Sequence, residues 1–366
     1  MDLRIAIRGY ARQPAFTIVV LFTLALGIGA TTAMFSLVNA VLLRPLPYDR
    51  PDRLVHVYET QPNDIAGRSA ASYPDFMDWR REHDVFSGLE GYDPTNVTVA
   101  DANGAEMLQG ARVTSGFFTT LGVTPVRGRA FEADDDIPGG TREVVLSHKF
   151  WMRRFDGNPA IVGKTIRIDG VPHEVRGVLP PAFRFIPVGE AEVWLPLGRD
   201  PEARAQRFNH FVNAVGRLRD GVAIPQARQR LSAVMRALGS EYATTNGGRD
   251  VIIVPLREVI DGPVERPLLV LFGAIGIVLL IVCANVANLV LARTVERGRE
   301  FAIRSAIGAS RWRLVRQLLT ENLVLALTGA SIGAILALVA VDEVAMSIPD
   351  RMTRQMPTIR DASVDM

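Results

Sequence analysis

ARTVERGREFAIRSAIGASRWRLVRQLLTEN, Ala292–Asn322, separates two uncharged apolar runs, Leu268–Leu291 and Leu323–Val341. It carries seven arginines (Arg293, Arg297, Arg299, Arg304, Arg311, Arg313, Arg316) against Glu296, Glu300 and Glu321. At about 1.5 Å per helical residue the two runs reach about 36 and 29 Å, enough to cross a hydrocarbon core of about 30 Å. Short Arg-rich loops stay on the cytoplasmic side. Residues 292–322 therefore read as a basic cytoplasmic loop between two transmembrane helices, 267–291 and 323–341.

Within the loop, Ile303 and Ile307 share one helix face, and Gly308 interrupts the period as a helix-terminating glycine does. Ser310 suits the cap of a second helix, in which Trp312, Val315 and Leu319 recur at spacings of three and four. Two uses fit such a pattern: a basic helix lying on anionic lipid headgroups, or a dock for a protein.

Outward from the loop, Ala15–Leu43 is a third uncharged stretch. It is too long for a cleaved signal segment and ends in Leu42-Leu43-Arg44-Pro45 without a small-residue cleavage site, so 15–43 reads as an uncleaved first span. Thr31, Thr32, Ser36 and Asn39 within it either face protein or bond back to their own helix. Ahead of it, Arg4, Arg8 and Arg12 line one face of a short amphipathic helix, 1–14, on the cytoplasmic side.

The chain has 366 residues, net charge +2 and one cysteine, Cys283, inside the second run. Near-neutral charge argues against a nucleic-acid partner. No disulfide can form within the chain, so the long segment 44–266 must be held by its own core. Its texture is mixed. Ser72-Tyr-Pro-Asp75 reads as a capped helix start leading to Phe76 and Trp79. Val97–Val99 and Glu143–Leu146 read as strands, and Lys164–Val178, turning at Asp169-Gly170, as a hairpin. Phe211–Leu218, a turn at Asp220-Gly221, a helix over Pro225–Tyr242 and Val251–Val254 make a strand–helix–strand unit. The expected fold is a membrane protein of three transmembrane α-helices with a large α/β (mixed α+β) domain between the first and second.

Catalytic signatures are weak. Gly157–Thr165 approaches a phosphate-binding loop, but five residues separate its glycines and Pro159 lacks an amide donor, so it reads as a turn entering a strand. The five histidines show no metal-ligand spacing. Asp134-Asp135-Asp136 reads as an exposed loop before Ile-Pro-Gly-Gly. No Gly-x-Ser-x-Gly elbow occurs. The expectation is no enzyme, no bound cofactor and no metal. Gly329 and Gly333 form a G-x-x-x-G that suits close helix packing, on this chain's other spans or on a second copy; Asn285 and Asn288 read as packing positions as well.

The run Asn285–Gly333 resembles the FtsX-type permease signature of MacB-family ABC-transporter permeases, through Asn285, Asn288, Arg293, Glu296, Arg297, Arg299, Glu300, Arg304, Gly308, Ala309, Arg316, Glu321, Gly329 and Gly333. Segment 44–266 resembles that family's extracytoplasmic core domain at Tyr73–Trp79, Phe117–Gly122, Pro125–Arg129, Val144–Phe155, Gly163–Gly177 and Val193–Pro196. The order of parts is similar to the first half of duplicated orphan permeases. The resemblance implies that Glu296, Arg297, Arg299, Glu300, Ile303, Arg304, Gly308, Ala309 and Arg311 couple to a separate cytoplasmic ABC ATPase, which is where ATP is used. It implies a bacterial inner-membrane protein, N-terminus cytoplasmic, often paired with a second permease copy and with a periplasmic adaptor. An alternative within the resemblance is an FtsX-like signalling scaffold controlling a cell-wall hydrolase. Permeases of this type have a fourth span, whereas here Val341 is followed by a polar tail, 342–366, so a truncated, non-transporting copy is a further expectation.

Overall fold

The structure is a computed structural model and describes residues 14–43, 46–101, 104–137, 142–198, 201–296, 298, 302–303, 306 and 311–347. The expected helix over 1–14 lies outside them except for Pro14. In chain order the elements are α1 (Pro14–Val38), β1 (Leu54–Gln61), β2 (Asp64–Ser69), β3 (Ala71–Ser72), α2 (Tyr73–Arg80), β4 (Phe86–Asp101), β5 (Gly104–Val113), α3 (Phe117–Leu121), β6 (Arg127–Gly128) and β7 (Glu143–Leu146). They continue as α4 (His148–Phe155), β8 (Thr165–Ile168), β9 (Val171–Val178), β10 (Val193–Pro196), α5 (Pro201–Ala205), β11 (His210–Leu218), α6 (Ile224–Glu241), α7 (Ala243–Asn246), β12 (Val251–Pro255), α8 (Leu256–Glu296) and α9 (Arg311–Ser347). Pro45–Pro263 forms one unit, and the helices on either side of it form another.

The soluble unit is built on one twelve-stranded sheet, in the order β12-β1-β11-β4-β5-β10-β7-β9-β6 with β2, β3 and β8 off the path. The expected strand–helix–strand unit is present in split form. β11 and β12 each run antiparallel to β1, which lies between them. Helix α6 crosses over this part and buries Ala227, Leu231, Met235 and Leu238. These join Phe76 and Trp79 of α2 in one apolar core. A central core gathers Phe117, Phe118, Phe185 and Trp194, and a third forms around Phe150, Trp151 and the β8–β9 hairpin. The hairpin turns at Asp169 (φ 50°) and Gly170 (φ 77°), the left-handed pair that a primed two-residue turn needs.

Three described helices are long and apolar enough to cross a membrane: α1, α8 and the Val315–Val339 part of α9. The apolar limits 267–291 and 323–341 fall inside longer helices. Leu256 at the head of α8 is fully buried in the central core of the soluble unit, so tertiary packing starts the helix well before its apolar part. At the other end, residues 342–347 of the expected polar tail belong to α9. Pro263 and Pro267 lie inside α8, and each removes one amide donor from the helical ladder.

Helices α1 and α9 meet backbone to backbone. A Cβ on Gly333 would stand 2.9 Å from the Ala25 carbonyl oxygen, and one on Gly29 would stand 2.9 Å from the Gly333 carbonyl oxygen. One on Gly329 would lie 2.8 Å from Leu24 Cβ. Only glycine permits this approach. Helix α8 joins through Val282, 3.0 Å from where Gly27 would carry a Cβ. The polar residues of α1 divide between the two expected roles: Thr31 donates back to the Gly27 carbonyl at 2.8 Å, while Ser36 is buried.

Candidate coupling site

Of the residues expected to meet a partner, Arg297, Arg299, Glu300, Arg304, Gly308 and Ala309 lie outside the described residues, as does the side chain of Arg311. The structure describes what flanks them. On one side, α8 ends in Arg293 and Glu296, which face the start of α1 across a cleft of about 400 Å³. Leu289, Ala292 and Phe16 wall the cleft, and the Arg293 guanidinium stands over the Phe16 ring, 4.7 Å from its centroid. That is a cation–π contact. On the other side, α9 begins with an exposed apolar stripe: Trp312 is 72% exposed and Leu319 62%, with Val315 and Leu323 beside them. Ile303 is exposed too. The tryptophan thus stands open at the head of a helix that begins with arginines, just before its apolar part.

The four expected packing residues divide. Gly329 and Gly333 lie against α1 of the same chain. Asn285 and Asn288 are exposed on α8, away from the described helices of their own chain. Amides on such a face are costly in hydrocarbon.

In the soluble unit the near-phosphate-loop is a turn, and its amides are spent. Ala160 N–H donates to Asn158 Oδ1 at 2.9 Å, Gly163 N–H to the Val175 carbonyl at 2.8 Å and Lys164 N–H to the Ile161 carbonyl at 3.0 Å. The aspartate triplet needs a correction: Asp135 is not an exposed loop residue. It is buried, accepts from Arg129 at 2.8 Å and caps the turn by accepting the Glu132 N–H at 2.8 Å. Arg129 sits far enough back in the chain to be missed by local reading.

A second cluster carries no local signal in the sequence. Asp75, fully buried on α2, accepts from Arg207 and from Asn246 Nδ2, while its other oxygen takes Ser72 Oγ. Arg207 also reaches Asp78 at 2.8 Å, and Arg249 reaches the fully buried Glu59 at 2.7 Å. Ser72 caps α2 as expected, accepting from the Asp75 N–H at 3.2 Å. The acid at 75, however, serves the tertiary cluster and not the cap backbone. His56 is buried elsewhere, with Nε2 2.8 Å from Tyr92 Oη, and burial pushes its titration down to about 3.

A family model described as MacB-like periplasmic core domain matches residues 17–234, and one described as FtsX-like permease C-terminal matches residues 272–354. Among curated proteins, the chain is 29% identical over 225 residues to the macrolide export ATP-binding/permease protein MacB of Chromobacterium violaceum, covering 60% of this chain and 33% of that protein. It is 27% identical over 229 residues to the uncharacterized ABC transporter permease YknZ of Bacillus subtilis, covering 60% of this chain and 54% of that one. The chain thus spans about a third to about half the length of these relatives. Among solved structures, the periplasmic region of MacB from Actinobacillus actinomycetemcomitans aligns with a TM-score of 0.43 at 14% identity, covering 58% of this chain and 92% of that one.

Proposed function

Because the chain belongs to the family of the MacB-like periplasmic core domain and carries an FtsX-like permease segment, it is an inner-membrane protein with an extracytoplasmic domain, and we propose that it is a permease subunit carrying force to that domain from an ABC ATPase. The N-terminus and the basic segment 292–322 face the cytoplasm, where the segment docks on the ATPase. The observation that carries this reading is α8, a helix of 41 residues with Leu256 in the core of the exported domain and Arg293 and Glu296 at the edge of the basic segment. The exposed stripe of Trp312, Val315 and Leu319 offers the ATPase an apolar seat beside the arginines. Asn285 and Asn288 are satisfied by a second copy of the permease. ATP is consumed by the partner. Whether the moving domain then acts on an export adaptor or on a cell-wall hydrolase follows from what it binds.

The test is stimulation of the partner ATPase by the permease in nanodiscs. Arg304→Glu and Trp312→Ala are each expected to lower stimulation at least tenfold while the permease stays folded; stimulation equal to wild type in both overturns the docking reading. Recovery of an outer adaptor with the full-length protein supports export. Recovery of a hydrolase replaces export with control of wall cleavage.

A further inference from the structure

Glu59 on β1, Asp75 on α2 and His210 at the head of β11 bring ligand-type atoms within 4.8 Å of one another. The hydrogen bonds argue against a dication there. Asp75 already serves Arg207, Asn246 and Ser72, and Glu59 Oε1 already takes Arg249. A divalent ion would add two positive charges to carboxylates that two guanidinium groups already serve, whereas a proton adds one.

The histidine shows where the proton goes. His210 Nδ1 lies 2.9 Å from the Phe208 carbonyl oxygen, which has no hydrogen to give, so Nδ1–H is the donor. In the neutral ring Nε2 is then a bare lone pair. It is buried without a hydrogen-bond partner and stands 3.4 Å from Glu59 Oε1; Glu59 Oε2 is also buried and unpartnered. Two acceptors facing each other out of reach of water repel. A proton on Nε2 converts the contact into a charge-assisted hydrogen bond.

We propose that His210 is a proton-operated clasp: protonated at Nε2 it fastens residues 208–210 to Glu59 of β1, and neutral it gives up that hold while Arg207 stays on Asp75 and Asp78. The charged groups around it are Glu59 from β1, Asp75 from α2, Arg207 on its own segment and Arg249 after α7. The hydrogen bond that His210 donates to Glu59 raises its titration above the ordinary histidine value, against burial and the Arg249 charge. The clasp therefore contributes its full stability below the ordinary histidine value and loses it as pH rises through the raised one. The fastened segment carries Phe208, 70% exposed, so acidity outside the membrane fixes how an aromatic side chain is offered to whatever meets the domain.

Deuterium exchange at histidine C2, read by mass spectrometry on the full chain in detergent from about pH 5 to about pH 8, gives the midpoint of each histidine. Backbone amide exchange of 206–212 reports the clasp. The expected result is a His210 midpoint above the ordinary value, with amide protection falling through the same midpoint. Glu59→Gln is expected to bring that midpoint to the ordinary value or below and to flatten the amide response, while β4 and β5 keep their protection. His210→Gln, whose amide donates to Glu59 at any pH, is expected to hold 206–212 protected throughout, and serves if Glu59→Gln does not fold. A wild-type midpoint at or below the ordinary value, an unchanged midpoint in Glu59→Gln, or flat wild-type amide protection overturns the proposal. So does Zn²⁺ suppression of His210 C2 exchange that a chelator reverses, which makes the cluster a metal site.

Discussion

His56 and His210 lie in the same sheet and respond to acid in opposite senses. His56 is kept neutral by burial, with its titration near 3, so the unfolded chain takes up a proton that the folded one refuses. That contribution to stability is whole above the ordinary histidine value and shrinks as pH falls towards about 3, by about 2 kcal/mol at pH 5. Urea unfolding of His56→Gln against wild type is expected to show a flatter acid limb for the variant. Removing one partner from a buried pair is harsher. Asp75→Ala takes one of two carboxylates from Arg207, whose side chain is only 17% exposed, and leaves the buried Asn246 amide without its acceptor; it is expected to cost about 3–5 kcal/mol in the same measurement. Arg81→Ala, from a pair in which the arginine is 75% exposed, is expected to cost about 1 kcal/mol or less. None of this was legible locally: Asp75 and Asn246 meet across 171 residues, and no spacing rule connects them. What could be read at this scale was the cap at Ser72, because a cap is complete within three residues.

Elements follow the same division by range. The β8–β9 hairpin was legible because Asp169-Gly170 fixes both its turn and its register. The split arrangement of β11, α6 and β12 was legible as strand–helix–strand; the insertion of β1 between the two strands was not, since β1 lies about 150 residues earlier and its pairing is a tertiary choice. The length of α8 was hidden because the apolar run alone marks the span, and residues 256–266 ahead of that run carry charges and Pro263. Pro263→Ala with Pro267→Ala returns two donors to the ladder, and amide exchange over 259–267 is expected to slow; unchanged exchange would mean those prolines do not loosen the helix. The α1–α9 contact makes a sharper forecast. Gly333→Val is expected to cost about 1–3 kcal/mol and lower the melting temperature in detergent. Gly276→Val, where a Cβ would meet nothing within 4 Å, is expected to leave it unchanged.

For the whole molecule, force transfer from an ATPase requires the basic segment and the large domain to lie on opposite sides of the membrane. With Cys283→Ser as background, a cysteine at Ile303 is expected to react with an impermeant maleimide only after the membrane is opened, and one at Phe208 to react from outside. The reverse pattern would separate the basic segment from any ATP-driven partner. The three spans and the mixed domain between the first two were legible because charge-free runs of such length have few other uses. The basic segment was legible only as a motif, and Arg297, Arg299, Glu300, Arg304, Gly308 and Ala309 lie outside the described residues. The glycine seam between α1 and α9 bears on how such a machine would run. Those helices sit at opposite ends of the chain, yet they are locked with no side chain between them at Gly29 and Gly333. In the proposed reading, a shove at the foot of α9 would have two covalent ropes to the outer domain, one through α8 and β12 and one through α1, because the glycine seam ties α9 to α1.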